Sequence, residues 1–122
     1  MVEEIRYVKQ QGPFTYGQAC IAMLTNQTTE QVIYDLNFDG PYTKSRLKYA
    51  LDKYGIKYKP RRKRIFRDTR KDYSSFAILI VRCNNYNHMV IYKDGKYYDP
   101  EVGILSKEYS RGKIIDYIDI IG

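Results

Sequence analysis

Gln10-Gln11-Gly12-Pro13-Phe14-Thr15-Tyr16-Gly17-Gln18-Ala19-Cys20-Ile21-Ala22-Met23-Leu24 is the stretch whose reading decides the fold. A polar loop bearing Gly12 and Pro13 runs straight into a segment rich in Ala, Leu and Met, which predicts a helix over 17–25. The loop therefore delivers a side chain to a helix N-terminus. Backbone N–H groups lack intrahelical partners there and the macrodipole is positive, so negative charge is stabilised. Cys20, Met23 and Leu24 form an apolar stripe at helical spacing, on which a cysteine is normally a small buried hydrophobe. If the helix instead begins nearer Gln18, Cys20 falls in its first turn, where the dipole lowers a thiol's pKa.

Two further helices follow. Thr28 with Gln31 three residues on reads as a capping box, opening a short helix through Val32, Ile33 and Leu36 that is expected to end at Gly40. Thr43 caps the next, whose Leu47, Ala50, Leu51 and Tyr54 recur at i, i+3, i+4 and i+7, with Gly55 just past its end. Strands are expected over 2–8, weakly, and over 56–59. Arg61, Arg62, Lys63 and Arg64, continued by Arg67, Arg70 and Lys71, form the one charge run. It reads as a solvated connection between a helical and a stranded half, or as a surface that grips phosphates while Phe66 or Tyr73 stacks on a base.

Phe76 to Val81 is continuously apolar and short, as a central buried strand is. Asp94-Gly95 between two β-prone runs predicts a two-residue type I′ hairpin, and that turn fixes a register. Lys93 then pairs with Lys96, Val90 faces Asp99 and His88 faces Glu101. His88, the only histidine, and Asp99 become diagonal neighbours on one face, roughly 7–8 Å apart along the backbone. A carboxylate accepting from one imidazole nitrogen leaves the other able to take a proton. A closing strand is expected over 114–121, where apolar residues alternate.

The opening stretch, taken with His88 and the Tyr98-Asp99-Pro100 triplet, resembles the papain-like cysteine peptidases, in particular their bacteriocin-processing, double-glycine leader peptidase-like branch. In that family a Gln is followed after five residues by Cys-Gly and an Ala-rich helix. Gln10 with its five-residue spacer lands on Tyr16-Gly17. The resemblance implies an α+β, papain-like fold over 1–122, with N-terminal helices packed on a C-terminal antiparallel sheet and a turn and short helix over 100–109, after Asp99. It implies Gln10 as donor to an oxyanion, with Gln11 the competing choice, His88 as base and Asp99 as its orienting partner. It also puts tyrosine where the nucleophile is expected. The family often carries a second cysteine four residues beyond the nucleophile, which is the offset of Cys20 from position 16.

Two expectations follow from different classes. A tyrosine hydroxyl has a pKa near 10 and a bulky ring, so Tyr16 plugs the cleft rather than attacking in it. The domain is then a degenerate enzyme whose cleft, at Tyr16 and Gly17 and flanked by Arg61, Arg62 and Arg64, binds a peptide, a nucleotide or another anionic partner. Alternatively Cys20 serves as nucleophile with His88, Asp99 and Gln10, and the protein is a small thiol peptidase or acyl hydrolase. Nucleic-acid binding rests on the charge run alone.

The bulk numbers constrain this further. A chain of 122 residues can bury one core without staples. Two cysteines make no disulfide framework, and with neither Cys-x-x-Cys nor a histidine pair no metal or other cofactor is expected. A formal charge of +7 favours acidic partners. The acidic start and the lack of any long apolar run predict a cytoplasmic protein with no membrane span.

Overall fold

A computed structural model describes residues 4–59, 75–84, 86–106 and 109–121. Among the described residues three helices precede one sheet: α1 (Tyr16–Thr25), α2 (Thr29–Leu36) and α3 (Lys44–Lys53), then β1 (Phe76–Cys83), β2 (Tyr86–Lys93), β3 (Lys96–Asp99), β4 (Gly103–Leu105) and β5 (Lys113–Asp119). The sheet is antiparallel in the order β4-β3-β2-β1-β5, so the architecture is α+β with helices first and strands after. Arg61, Arg62 and Arg64, with the rest of their charge run, lie outside the described residues.

Local chemistry explains the helix ends. Thr28 and Thr43 sit in extended backbone and accept hydrogen bonds from the amides of Gln31 and Arg46, each at 3.1 Å. The predicted capping box at α2 is only half made, because the Gln31 side chain turns forward to Asp35 at 2.7 Å instead of back to Thr28. Gly40 does not end α2. Asn37 does, adopting the left-handed conformation with φ 52° three residues earlier, which Asn tolerates because its short polar side chain bonds locally. α1 begins one residue before the prediction, at Tyr16, and its N-cap Thr15 makes no capping bond. The Thr15 hydroxyl is engaged with Gln11 instead, accepting from its amide and donating to its carbonyl, both at 2.7 Å.

β1 is paired on both edges, with β2 and β5, and its side chains enter a core on each face of the sheet, which accounts for its unbroken apolar run. Ile78 and Ile80 join the core shared with Ile21, Leu47, Leu51, Met89 and Ile118. Ala77, Leu79 and Val81 join Val90, Tyr97, Tyr109 and Ile114 in a second core. The β2–β3 hairpin has the predicted register, with Lys93 opposite Lys96, Tyr92 opposite Tyr97 and Ile91 opposite Tyr98. Asp94 and Gly95 have φ of 48° and 88°, the positive pair that a type I′ turn demands.

Three strand and helix expectations need correction. Of the strand expected over 2–8, residues 2 and 3 lie outside the described residues and 4–8 form no strand; Ile5 packs into the core, and the Gln10 amide bonds the Pro100 carbonyl at 2.8 Å. Over 56–59 there is a single bridge, Tyr58 to Ile120, flanked by bonds from Lys59 to Asp119 and from Ile121 to Lys57, which cover the β5 edge. After Asp99 the chain turns, the Val102 amide bonding the Asp99 carbonyl. It then pairs β4 with β3, so Leu105 lies on a strand and Glu101 leaves the ladder instead of facing His88; residues 107 and 108 of the expected short helix lie outside the described residues. Among the described residues no helix is long and apolar enough to cross a membrane.

Candidate functional site

The hairpin register carries the polar centre. One step past Ile91–Tyr98 it sets Val90 opposite Asp99, and the His88 side chain two residues back reaches the carboxylate diagonally, with Nε2 2.7 Å from Oδ1. Both are buried, at 1% and 0% exposure, so neither can lean on water. Asp99 is met by four donors. Besides His88, Oδ1 accepts from the Glu101 amide at 2.9 Å, and Oδ2 accepts from the Tyr109 hydroxyl at 2.8 Å and from Arg111 Nη1 at 3.0 Å. Burial would raise this carboxyl, but the bonds and charge from His88, with those from Glu101 and Tyr109, outweigh it and hold Asp99 at about 2. Burial, and after it the Asp99 charge, pushes the Tyr109 phenol up. Arg111 also binds Glu101 at 2.8 Å, and Tyr7 donates to the Asp99 carbonyl at 2.6 Å, tying the N-terminal strap to the end of β3.

The first turn of α1 approaches this pair. Tyr16 opens the helix, and its ring meets that of His88 edge-on, with centroids 5.7 Å apart and planes at 66°. Its hydroxyl donates to the Tyr42 carbonyl at 3.1 Å, and burial raises its pKa. Gly17 is covered by the Tyr42 ring: a Cβ there would come within 2.3 Å of it, so the position requires glycine. Cys20, one turn on, is fully buried in the helix-side core, and burial together with the nearby Asp99 charge pushes its thiol well up. That environment opposes the thiolate.

A cleft of about 930 Å³ opens beside Tyr16. Gln10, Pro13, Phe14 and Tyr16 make one wall, and Pro41, Tyr42, Thr43 and Lys44 another. The sheet supplies Ile80, Met89 and Ile115 as an apolar floor, with Arg82, Tyr86, Asn87, Glu101 and Asp116 around it. Phe14 is 57% exposed and Tyr86 39%, so two aromatic rings stand in solvent at its border. Gln10, not Gln11, lines this space. Its Nε2 is spent on the Gly12 carbonyl at 2.8 Å, while its Oε1 is buried without a partner; Gln11 bonds Glu30. Lys44 binds Asp116 at 2.8 Å.

The structure thus brings Tyr16, His88 and Asp99 together and sets Gln10 in the cleft wall, whereas Gly17 and Cys20 are packed away from solvent. Tyr7, Tyr42, Tyr109 and Arg111 also belong to the site, and no motif in the sequence marks them. A buried Asp demands donors, and an excess of 14 tyrosines hints at the type, but nothing in the linear order says which ones arrive. Among the described residues no three of His, Cys, Asp and Glu gather as a metal would require. No family model matches the chain, and no curated protein does either.

Proposed function

We propose that the chain is a papain-like domain that has lost catalysis and uses its cleft to bind a peptide. The position of the Tyr16 ring carries this reading: it lines the cleft and packs against the buried His88, so the imidazole is reached only past a side chain that cannot easily serve as nucleophile. A phenol begins with a pKa near 10, and burial moves this one further from ionisation. The volume suits a bound side-chain cluster, since ligand clefts span about 300–1,000 Å³ and are mostly apolar with a few placed polar groups. The order of helices and strands, the hairpin register and the His88–Asp99 bond all accord with a papain-like ancestry.

The alternative, a thiol hydrolase attacking through Cys20, is weakened by the burial of that sulfur and by its raised pKa. Binding of terminally blocked, leucine-containing peptides is the test. Tyr16→Ala should change their affinity several-fold, while Tyr16→Phe, which keeps the ring, should not. Unchanged binding in Tyr16→Ala would sink the cleft as the binding surface. Hydrolysis of a fluorogenic peptide amide by the native chain, lost on Cys20→Ala, would establish the alternative.

A further inference from the structure

The charges around the cleft are not equally satisfied. Its two carboxylates are paired, Asp116 with Lys44 and Glu101 with Arg111, each at 2.8 Å. Arg82 is exposed, lines the cleft next to the apolar floor, and makes one long bond of 3.3 Å to Asn87 across β1 and β2. Its neighbour on the other side, across β1 and β5, is Lys113, also exposed. Neither cation has a carboxylate partner among the described residues. Residues directly opposite on antiparallel strands point to one face with Cβ atoms about 4.5–5.5 Å apart, and like charges so placed repel. A sheet that leaves Arg82 against Lys113 has built a concentrated positive end onto an apolar groove.

We propose that the cleft is selective for an acidic peptide, one that seats an apolar side chain on Ile80, Met89 and Ile115 and a carboxylate between Arg82 and Lys113. This rests on the reading of the cleft as a peptide site and adds the chemistry that it selects. The guanidinium offers a planar fork for two carboxylate oxygens, and relief of the cation–cation repulsion adds to the gain on binding. Phe14 and Tyr86 flank the groove with exposed rings, and the Asn87 side chain stands beside Arg82 in register. An apolar floor of this kind favours a peptide over a nucleic acid, whose grip is phosphate contact and base stacking along an open groove.

The chain has no tryptophan, so a single tryptophan in the peptide reports binding by its fluorescence. Two terminally blocked peptides alternating leucine with either glutamate or glutamine make the comparison. The glutamate peptide should bind about tenfold tighter, a difference of about 1.4 kcal/mol. Arg82→Gln and Lys113→Gln should each remove part of that preference, and the double variant all of it. Both positions are exposed, so these variants keep the core intact. Lys53→Gln loses the same charge on α3, nine residues and so about 13 Å along the helix from Lys44, and should leave the preference untouched. Equal affinities in the native chain overturn the proposal, as does a preference that survives the double variant or that falls equally in Lys53→Gln. If both peptides bind equally and Tyr16→Ala alters both, the peptide cleft stands and only its acidity requirement falls; if neither binds, both readings fall. Displacement of the glutamate peptide by a single-stranded oligonucleotide at lower concentration than unlabelled peptide, with a steeper salt dependence, would assign the basic end to nucleic acid instead.

Discussion

Two groups close on His88 from different parts of the chain, and they are held by different physics. Asp99 comes from the sheet and is fixed by four hydrogen bonds and by charge. Tyr16 comes from α1 and is fixed by packing, with one 3.1 Å bond from its hydroxyl. The sheet side therefore behaves as a polar network that must be complete, since a buried carboxylate missing its donors costs more than the network contributes when whole. The helix side behaves as core, where side chains exchange for others of similar volume at modest cost. A site divided in this way can exchange its helix-side group and keep its polar wiring, because packing holds the one and hydrogen bonding the other.

Removing the carboxylate tests that division most severely. Asp99→Ala leaves His88, Tyr109, Arg111 and the Glu101 amide without their acceptor and should cost about 3–5 kcal/mol in urea unfolding. A cost under about 1 kcal/mol would show that the network is not what keeps the pair in place. On the helix side, Gly17→Ala drives a Cβ to 2.3 Å from the Tyr42 ring, and overpacking of that kind costs about 1–3 kcal/mol. Tyr42→Ala should relieve that clash, so the double variant should be less unstable than the two single costs added together.

Acid separates the two sides without mutation. Asp99 stands at about 2 when folded against 3.8 for the ordinary carboxyl. Because the folded value is the lower, its contribution is complete above about pH 4 and disappears as the pH falls through about 2. The shift corresponds to about 2 kcal/mol. Unfolding free energy measured between pH 5 and 2 should lose that amount in the native chain, and Asp99→Asn should lose less over the same range.

How much of this was legible in the sequence divides along the same line. Local chemistry was readable: Thr28 and Thr43 cap where their hydroxyls reach an amide three residues on, and Asp94-Gly95 permits only a tight primed turn, from which the His88–Asp99 contact follows by counting along two strands. What depends on chain meeting chain was not. Tyr109 and Arg111 reach Asp99 from beyond β4, and Tyr7 from the N-terminal strap, at separations that no periodicity encodes. α2 ends before Gly40 because Asn37 can take the left-handed cap as well as glycine, while Gly40 lies close against Phe38 and offers its carbonyl to Gln18 at 2.8 Å. Residues 2–8 alternate weakly, yet the described part of that stretch runs on as a strap because the Gln10 amide finds Pro100 rather than a ladder.

Cys20→Ala should have the smallest effect and sharpens the comparison furthest. If the sulfur is only a piece of core beside Ile21 and Met23, its loss removes a small apolar volume and costs about 1 kcal/mol, with peptide affinity unchanged. The same burial predicts that iodoacetamide reacts with Cys20 in the folded chain far more slowly than with free cysteine, because the thiolate is both scarce and shielded. A fast reaction that Asp99→Asn or His88→Asn slows would mean that the thiol is coupled to the polar network. The two sides of the site would then be one reactive unit, and the division argued from their packing would be wrong.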